Sequence, residues 1–246
     1  MHRYFGLITI TVAILVFTSA DPTAKFALGE ENSQIHDAIQ PVPRDGRWMK
    51  RHESMNSRVA EGNVDLVFIG DSITQGWEGR GKAIWAEYYG DRNAVNLGIG
   101  GDRTQHVIWR LQNGNLKGIH PKAAVIMIGT NNSGDNTAEQ IAEGVTKIVQ
   151  ILRETTPKTK VLLLATFPRG ANPKDARRMV NESSNAMVSD LAKDPSVYYL
   201  DIGNQFLEDD QTLSREIMPD LLHLSEEGYE IWAKSIEPTL KKLLSQ

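Results

Sequence analysis

Four short stretches of the chain carry residue types that can do chemistry. In Gly70-Asp71-Ser72-Ile73-Thr74 a glycine permits a tight turn next to a serine, whose hydroxyl can then stand clear as a nucleophile while its amide faces a ligand. A serine that merely caps a helix is the plain alternative. Asn96-Leu97-Gly98-Ile99-Gly100-Gly101-Asp102-Arg103 clusters glycines, whose backbone amides can approach an anion, either a phosphate or an oxyanion. Gly129-Thr130-Asn131-Asn132 offers, in Asn131, an amide donor that brings no charge, suited to a transient oxyanion or to a simple turn. In Pro219-Asp220-Leu221-Leu222-His223-Leu224 the histidine follows the aspartate by three residues. One loop could then supply a general base and the carboxylate that orients its other ring nitrogen.

Two familiar motifs are excluded. Thr74 occupies the second glycine of a G-x-S-x-G elbow, and Arg103 the third glycine of a dinucleotide fingerprint begun at Gly98.

The elements that must position these groups follow from apolar patterning. Five apolar runs at 64–69, 94–97, 123–128, 160–165 and 197–200 have the length and β-branched content of strands buried on both faces. Between them, residues 137–155 carry Ile141, Val145, Ile148, Val149 and Leu152 at helical spacing behind Thr137 and Gln140, a capping pair. A second stripe of Ile231, Ile236, Leu240 and Leu243 spans 225–244, with Ser225 and Glu227 placed to start a helix. Strands alternating with helices predict an α/β fold, a five-stranded parallel sheet covered on both faces. In such sheets ligands gather beyond the carboxyl ends of the strands, where the first three stretches fall; the fourth precedes the last helix. Together they supply nucleophile, base and oxyanion donors for acyl transfer.

On these residues the sequence resembles the GDSL, or SGNH, hydrolase family over roughly 64–244, with the family's markers falling on Ser72, Gly101, Asn131 and His223. The stretch from Asn96 to Asn132, including His106-Val107-Ile108-Trp109-Arg110-Leu111 and Asn113-Gly114, is similar to the platelet-activating-factor acetylhydrolase catalytic subunits within it. The resemblance implies a three-layer α/β/α sandwich of flavodoxin-like form. It also implies a serine-dependent carboxylic ester hydrolase with Ser72, His223 and Asp220 as catalytic residues. The amides of Ser72 and Gly101 and the side chain of Asn131 would form the oxyanion hole, with no metal or organic cofactor. Asn132 departs from the family, where an aspartate often follows the marker asparagine; altered bonding behind the site is expected, with the mechanism intact.

Trp77, five residues past Ser72, is the expected substrate-binding residue as a stacking wall for a sugar ring, with plain packing in the core as its alternative. No long apolar insertion suggests a lid, so the expected reaction removes short acyl groups, acetyl above all, from carbohydrate. Lipid-directed esterase, lysophospholipase or thioesterase activity is the alternative, and a silent carbohydrate-binding protein on the same fold a third reading.

Composition bounds the rest. The 246 residues allow one decorated domain at roughly 150 residues per domain. A net charge of −4 without long runs of one sign argues against nucleic acid as a partner and is uninformative about the substrate; the small-molecule or polysaccharide ester expected as partner follows from the hydrolase reading. With no cysteine there is no thiol nucleophile, disulfide or zinc-thiolate site. Arg3, the apolar run 7–17 and the small residues Thr18-Ser19-Ala20 read as a signal peptide over 1–20, so a secreted or periplasmic protein without a lasting membrane anchor is expected. Residues 21–43, polar and holding Pro22, Pro41 and Pro43, read as an extended arm, and 44–246 as the hydrolase domain.

Overall fold

A computed structural model of the chain describes residues 36–245, so the expected leader and most of the expected arm lie outside the described residues. The elements run α1 (Arg47–Ala60), β1 (Leu66–Gly70), α2 (Ser72–Gln75), α3 (Lys82–Tyr89), β2 (Ala94–Gly98), α4 (Thr104–Arg110), β3 (Ala123–Met127), α5 (Ala138–Thr155), β4 (Lys160–Leu164), α6 (Ala176–Val188), β5 (Val197–Leu200) and α7 (Glu226–Leu244). Each expected apolar run coincides with a strand, β1 and β2 running one residue further, to Gly70 and Gly98. All pairings are parallel, in the order β2-β1-β3-β4-β5.

Strand periodicity builds the two cores. Val67 and Ile69 of β1 face α1, α4 and α5 with Met55, Val107 and Ile148, whereas Leu66 and Phe68 face α3 and α7 with Tyr89, Trp232 and Ile236. The sheet is therefore apolar on both sides, as a parallel sheet must be when helices cover it twice. The chain leaves β1 for the edge strand β2, then crosses back to β3 on the other side of β1. In open parallel sheets, ligands gather beyond the strand ends at such a reversal. No helix among the described residues is long and apolar enough to cross a membrane.

Residues 36–43 differ from the expected extended arm. Their short turn Asp37–Ile39 packs on α4 and α5, buries Ala38, and is fixed by a 2.7 Å bond from the Thr104 hydroxyl to the Ala38 carbonyl. A polar, proline-bounded segment has no periodicity to betray such docking, because its partners come from distant elements.

Helix α5 passes this junction at Gly144. A Cβ there would lie 2.6 Å from Thr104 Oγ1 and 2.8 Å from the Ala38 carbonyl oxygen. Alanine favours a helix interior by about 1 kcal/mol over glycine, yet Gly144→Ala should lower the thermal unfolding midpoint, because the collision outweighs the propensity. A raised midpoint would contradict this packing.

Candidate active site

The turn after β1 is built around a four-residue helix. Asp71 caps α2, its Oδ1 accepting from the Ile73 amide at 2.9 Å, and this sets Ser72 at the first helical position. Three distant groups hold the turn: the Tyr229 hydroxyl of α7 donates to the Ile73 carbonyl at 2.6 Å, Asn96 of β2 donates to the Thr74 carbonyl at 3.0 Å, and Gln75 accepts from the Gly100 amide at 2.7 Å. Gly98 must be glycine, since a Cβ there would lie 2.4 Å from the Gln75 nitrogen.

The loop before α7 brings the histidine to the serine across 151 residues: His223 Nε2 lies 2.8 Å from Ser72 Oγ. On the other side of the ring, Nδ1 lies 2.7 Å from Asp220 Oδ2, while Asp220 Oδ1 accepts the amides of His223 and Leu222 at 2.7 and 3.2 Å. Burial would raise the Asp220 carboxyl, but the bonds from the His223 ring and these amides outweigh it and hold the group down at about 2. The tight loop needs Leu221 at φ +61, a left-handed conformation costly for a residue with a branched side chain. The Leu221 carbonyl accepts from the Gly170 amide at 2.9 Å, which ties the loop to the segment after β4.

The two remaining loops meet behind Ser72. Asn131 Nδ2 donates to the Asp102 carbonyl at 2.9 Å and stands 3.4 Å from Asp71 Oδ2, so only one of its two N–H groups is firmly engaged. Gly101 has φ +75, a conformation that suits glycine. The amides of Ser72 and Gly101 have no acceptor among the described residues. The structure thus brings together Ser72, His223, Asp220, Gly101 and Asn131, as the sequence reading grouped them.

Further polar groups hold these loops, and of them the sequence reading assigned a role only to Asn132. Asp102 is buried, accepting from Trp48 Nε1 at 2.6 Å and from Arg110 Nε at 2.8 Å, and Arg110 also donates to Asn115 at 2.6 Å and to the Gly70 carbonyl at 3.3 Å. Burial raises the Asp102 carboxyl and lowers the Arg110 guanidinium, each opposed by the charge of the other. Asn132, also buried, accepts the Thr104 amide at 3.0 Å and donates toward Gln105 and Asn136 at 3.1 and 2.9 Å. An aspartate could accept from Thr104 but not donate, which is how asparagine here alters the bonding behind the site. His106 accepts the Arg103 amide at 3.0 Å, and burial pushes its imidazole down to about 4, so it is a neutral cap for α4.

Trp77 corrects the sequence reading. It is 1% exposed and packs in the core against Tyr229, Trp232, Tyr89 and Phe68, so it presents no face to a sugar. The turn after Gln75 carries residue 77 under the sheet edge, a direction that proximity to Ser72 in sequence does not reveal. Among the described residues no group of three or more His, Cys, Asp or Glu side chains could hold a metal ion.

The model of the GDSL-like Lipase/Acylhydrolase family matches residues 68–231. Platelet-activating factor acetylhydrolase IB subunit alpha1 of Homo sapiens is 39% identical over 219 residues, covering 89% of this chain and 94% of that protein. The alpha2 subunit of Rattus norvegicus is 36% identical over the same shares of the two chains. Among solved structures, a GDSL-like lipase from Bacteroides thetaiotaomicron superposes with a TM-score of 0.64 at 21% identity, covering 78% of this chain and 97% of its own. A catalytic mutant of an acetylxylan esterase from Geobacillus stearothermophilus gives 0.58 at 19% identity, covering 72% and 93%. Both structures share the fold.

The carboxyl of Asp71 generates a testable pH dependence. Burial, helped by the nearby charge of Asp102 and opposed by the Ile73 amide, raises it from 3.8 to about 7. The folded chain therefore holds this proton more tightly than the unfolded chain, and the resulting stability is lost as pH rises from 3.8 through about 7. Asp71→Asn cannot ionise, so the fall in unfolding midpoint between about pH 5 and about pH 8 should be smaller in the variant than in the wild type. An unchanged fall would contradict the assignment.

Proposed function

The chain belongs to the GDSL-like lipase/acylhydrolase family and is a hydrolase of ester bonds; from that premise we propose that Ser72, His223 and Asp220 carry out serine-dependent cleavage of short acyl esters. The observation that carries this reading is the Ser72–His223–Asp220 relay, with contacts of 2.8 and 2.7 Å.

In this mechanism Ser72 Oγ bonds to the ester carbonyl carbon, its proton passes to His223 Nε2, and the carbonyl π pair moves onto oxygen. The Ser72 and Gly101 amides and the second N–H of Asn131 receive that oxyanion. Collapse expels the alcohol, which takes the proton from His223, and leaves an acyl-enzyme. Water then adds to the acyl carbon, giving a proton to His223, and the second collapse returns that proton to Ser72 and releases the acid. Asp220, held at about 2, is ionised at neutral pH and stabilises the imidazolium formed in both halves.

For the substrate, the reading favours an acetyl ester of a lipid alcohol. The relatives that share 39% and 36% identity over most of the chain are named for acetylhydrolysis of platelet-activating factor. The carbohydrate ester expected from the sequence loses its stacking surface with Trp77 in the core, and the likeness to an acetylxylan esterase, at 19% identity, bears on the fold alone. The reading also includes export, supported by the apolar run 7–17 behind Arg3.

Acetate release tests these points. Ser72→Ala should lose about 10⁶-fold in kcat, and Asn131→Ala about 10²–10³-fold while remaining folded. Near-normal turnover in either variant would remove that residue from the mechanism. With nitrophenyl esters of increasing chain length the wild type should prefer acetyl, and it should release acetate from an acetylated phospholipid faster than from acetylated xylan. The reverse order would restore the carbohydrate reading.

A further inference from the structure

We infer that Arg44 is a positioning residue for this reaction, orienting and polarising the peptide group whose N–H receives the oxyanion. The inference rests on the serine-hydrolase reading above. Arg44 belongs to none of the four chemical stretches and precedes Gly100 by 56 residues, yet its Nη1 donates to the Gly100 carbonyl at 2.9 Å. The Gly100 carbonyl and the Gly101 N–H are the two ends of one planar, trans peptide group, so they point in opposite directions and neither turns without the other. Fixing the oxygen aims the N–H.

The loop needs such a hold. With Gly100 before it and Gly101 at φ +75, no side chain restrains this peptide, and glycine tolerates the flipped orientation as readily. Its neighbours are held otherwise: the Gly100 amide donates to Gln75 at 2.7 Å and the Asp102 amide to the Ile99 carbonyl at 3.1 Å. Among the described residues, Arg44 is the one donor to the carbonyl between them. The guanidinium also lies along Gly101, with Nη1 3.2 Å from where a Cβ would stand. A cation on the carbonyl oxygen draws electron density from the amide nitrogen and makes its N–H a stronger donor.

The fold delivers Arg44 deliberately to this spot. The docked segment from Asp37 is pinned by Thr104, and Pro41 and Pro43 limit the backbone between that pin and the arginine. Asp37 braces the neighbouring loop as well, accepting from Asn136 at 2.6 Å. A purely structural pairing with Asp102 explains less: that carboxylate is already bonded to Trp48 and Arg110, and Arg44 stands 3.6 Å away with its side chain 40% exposed, where an ion pair contributes little.

The test compares wild type, Arg44→Gln and Arg44→Lys with nitrophenyl acetate and with a trifluoromethyl ketone, which serine hydrolases bind as an oxyanionic adduct. Arg44→Gln should lower kcat about tenfold, a fraction of the full 10²–10³ of a lost oxyanion donor. KM should stay within about twofold and ketone affinity should fall by the same factor as kcat. Arg44→Lys should recover part of both. Wild-type kcat in Arg44→Gln would overturn the inference, and so would a kcat loss that leaves ketone affinity intact. Absence of esterase activity in the wild type itself would count against the proposed function instead, so the two failures are read on different proteins.

Discussion

A single contact of 2.8 Å between Ser72 and His223 sets the demand that the rest of the fold meets. The two side chains are 151 residues apart, on the first strand's exit and on the loop that enters the last helix. Neither segment would hold its place alone, since α2 has only four residues and the His223 loop contains a leucine in the left-handed region. The parallel sheet solves this by ending the neighbouring strands β1 and β3 side by side, and α7 secures the turn by bonding Tyr229 to the Ile73 carbonyl one residue past the serine. The apolar cores on the two faces then resist the separation of these elements, because parting them would return Phe68, Trp232 and their neighbours to water.

Buried polar groups finish what packing cannot specify. Apolar contacts fix the distance between layers but leave a glycine loop free to rotate. The Asp102 carboxylate, tied to α1 through Trp48 and to α4 through Arg110, fixes the far end of that loop. Asn132 joins the loop after β3 to the start of α4, so the loops that carry Gly101 and Asn131 are tied to each other. Such groups are costly to bury unless every partner is present, and here the pairing is dense.

The parts of this arrangement that repeat with a local period were legible in the sequence. Apolar runs located all five strands, and reading the residues after them picked out Ser72, the glycine cluster within 98–101 and Asn131, with His223 following from its spacing to Asp220; Gly101 itself came from the family resemblance. What escaped depends on contacts between distant segments. Trp77 looked like a substrate wall because it follows the serine by five residues, yet the turn at Gly76 sends it into the core. Residues 36–43 looked like an arm because prolines and polar side chains carry no periodicity, although Asp37 and Ala38 are bonded to elements that begin more than sixty residues later. Tyr229 was not singled out at all, since nothing local shows that its hydroxyl reaches a carbonyl 156 residues away.

The proposed chemistry turns on Ser72 being a nucleophile made reactive by His223. The most direct measurement is labelling with a fluorophosphonate, followed by peptide mass spectrometry to locate the adduct. One adduct per chain is expected, on Ser72, formed rapidly by the wild type and very slowly by His223→Ala. An adduct on another residue, or labelling of Ser72 at the same rate without His223, would contradict it.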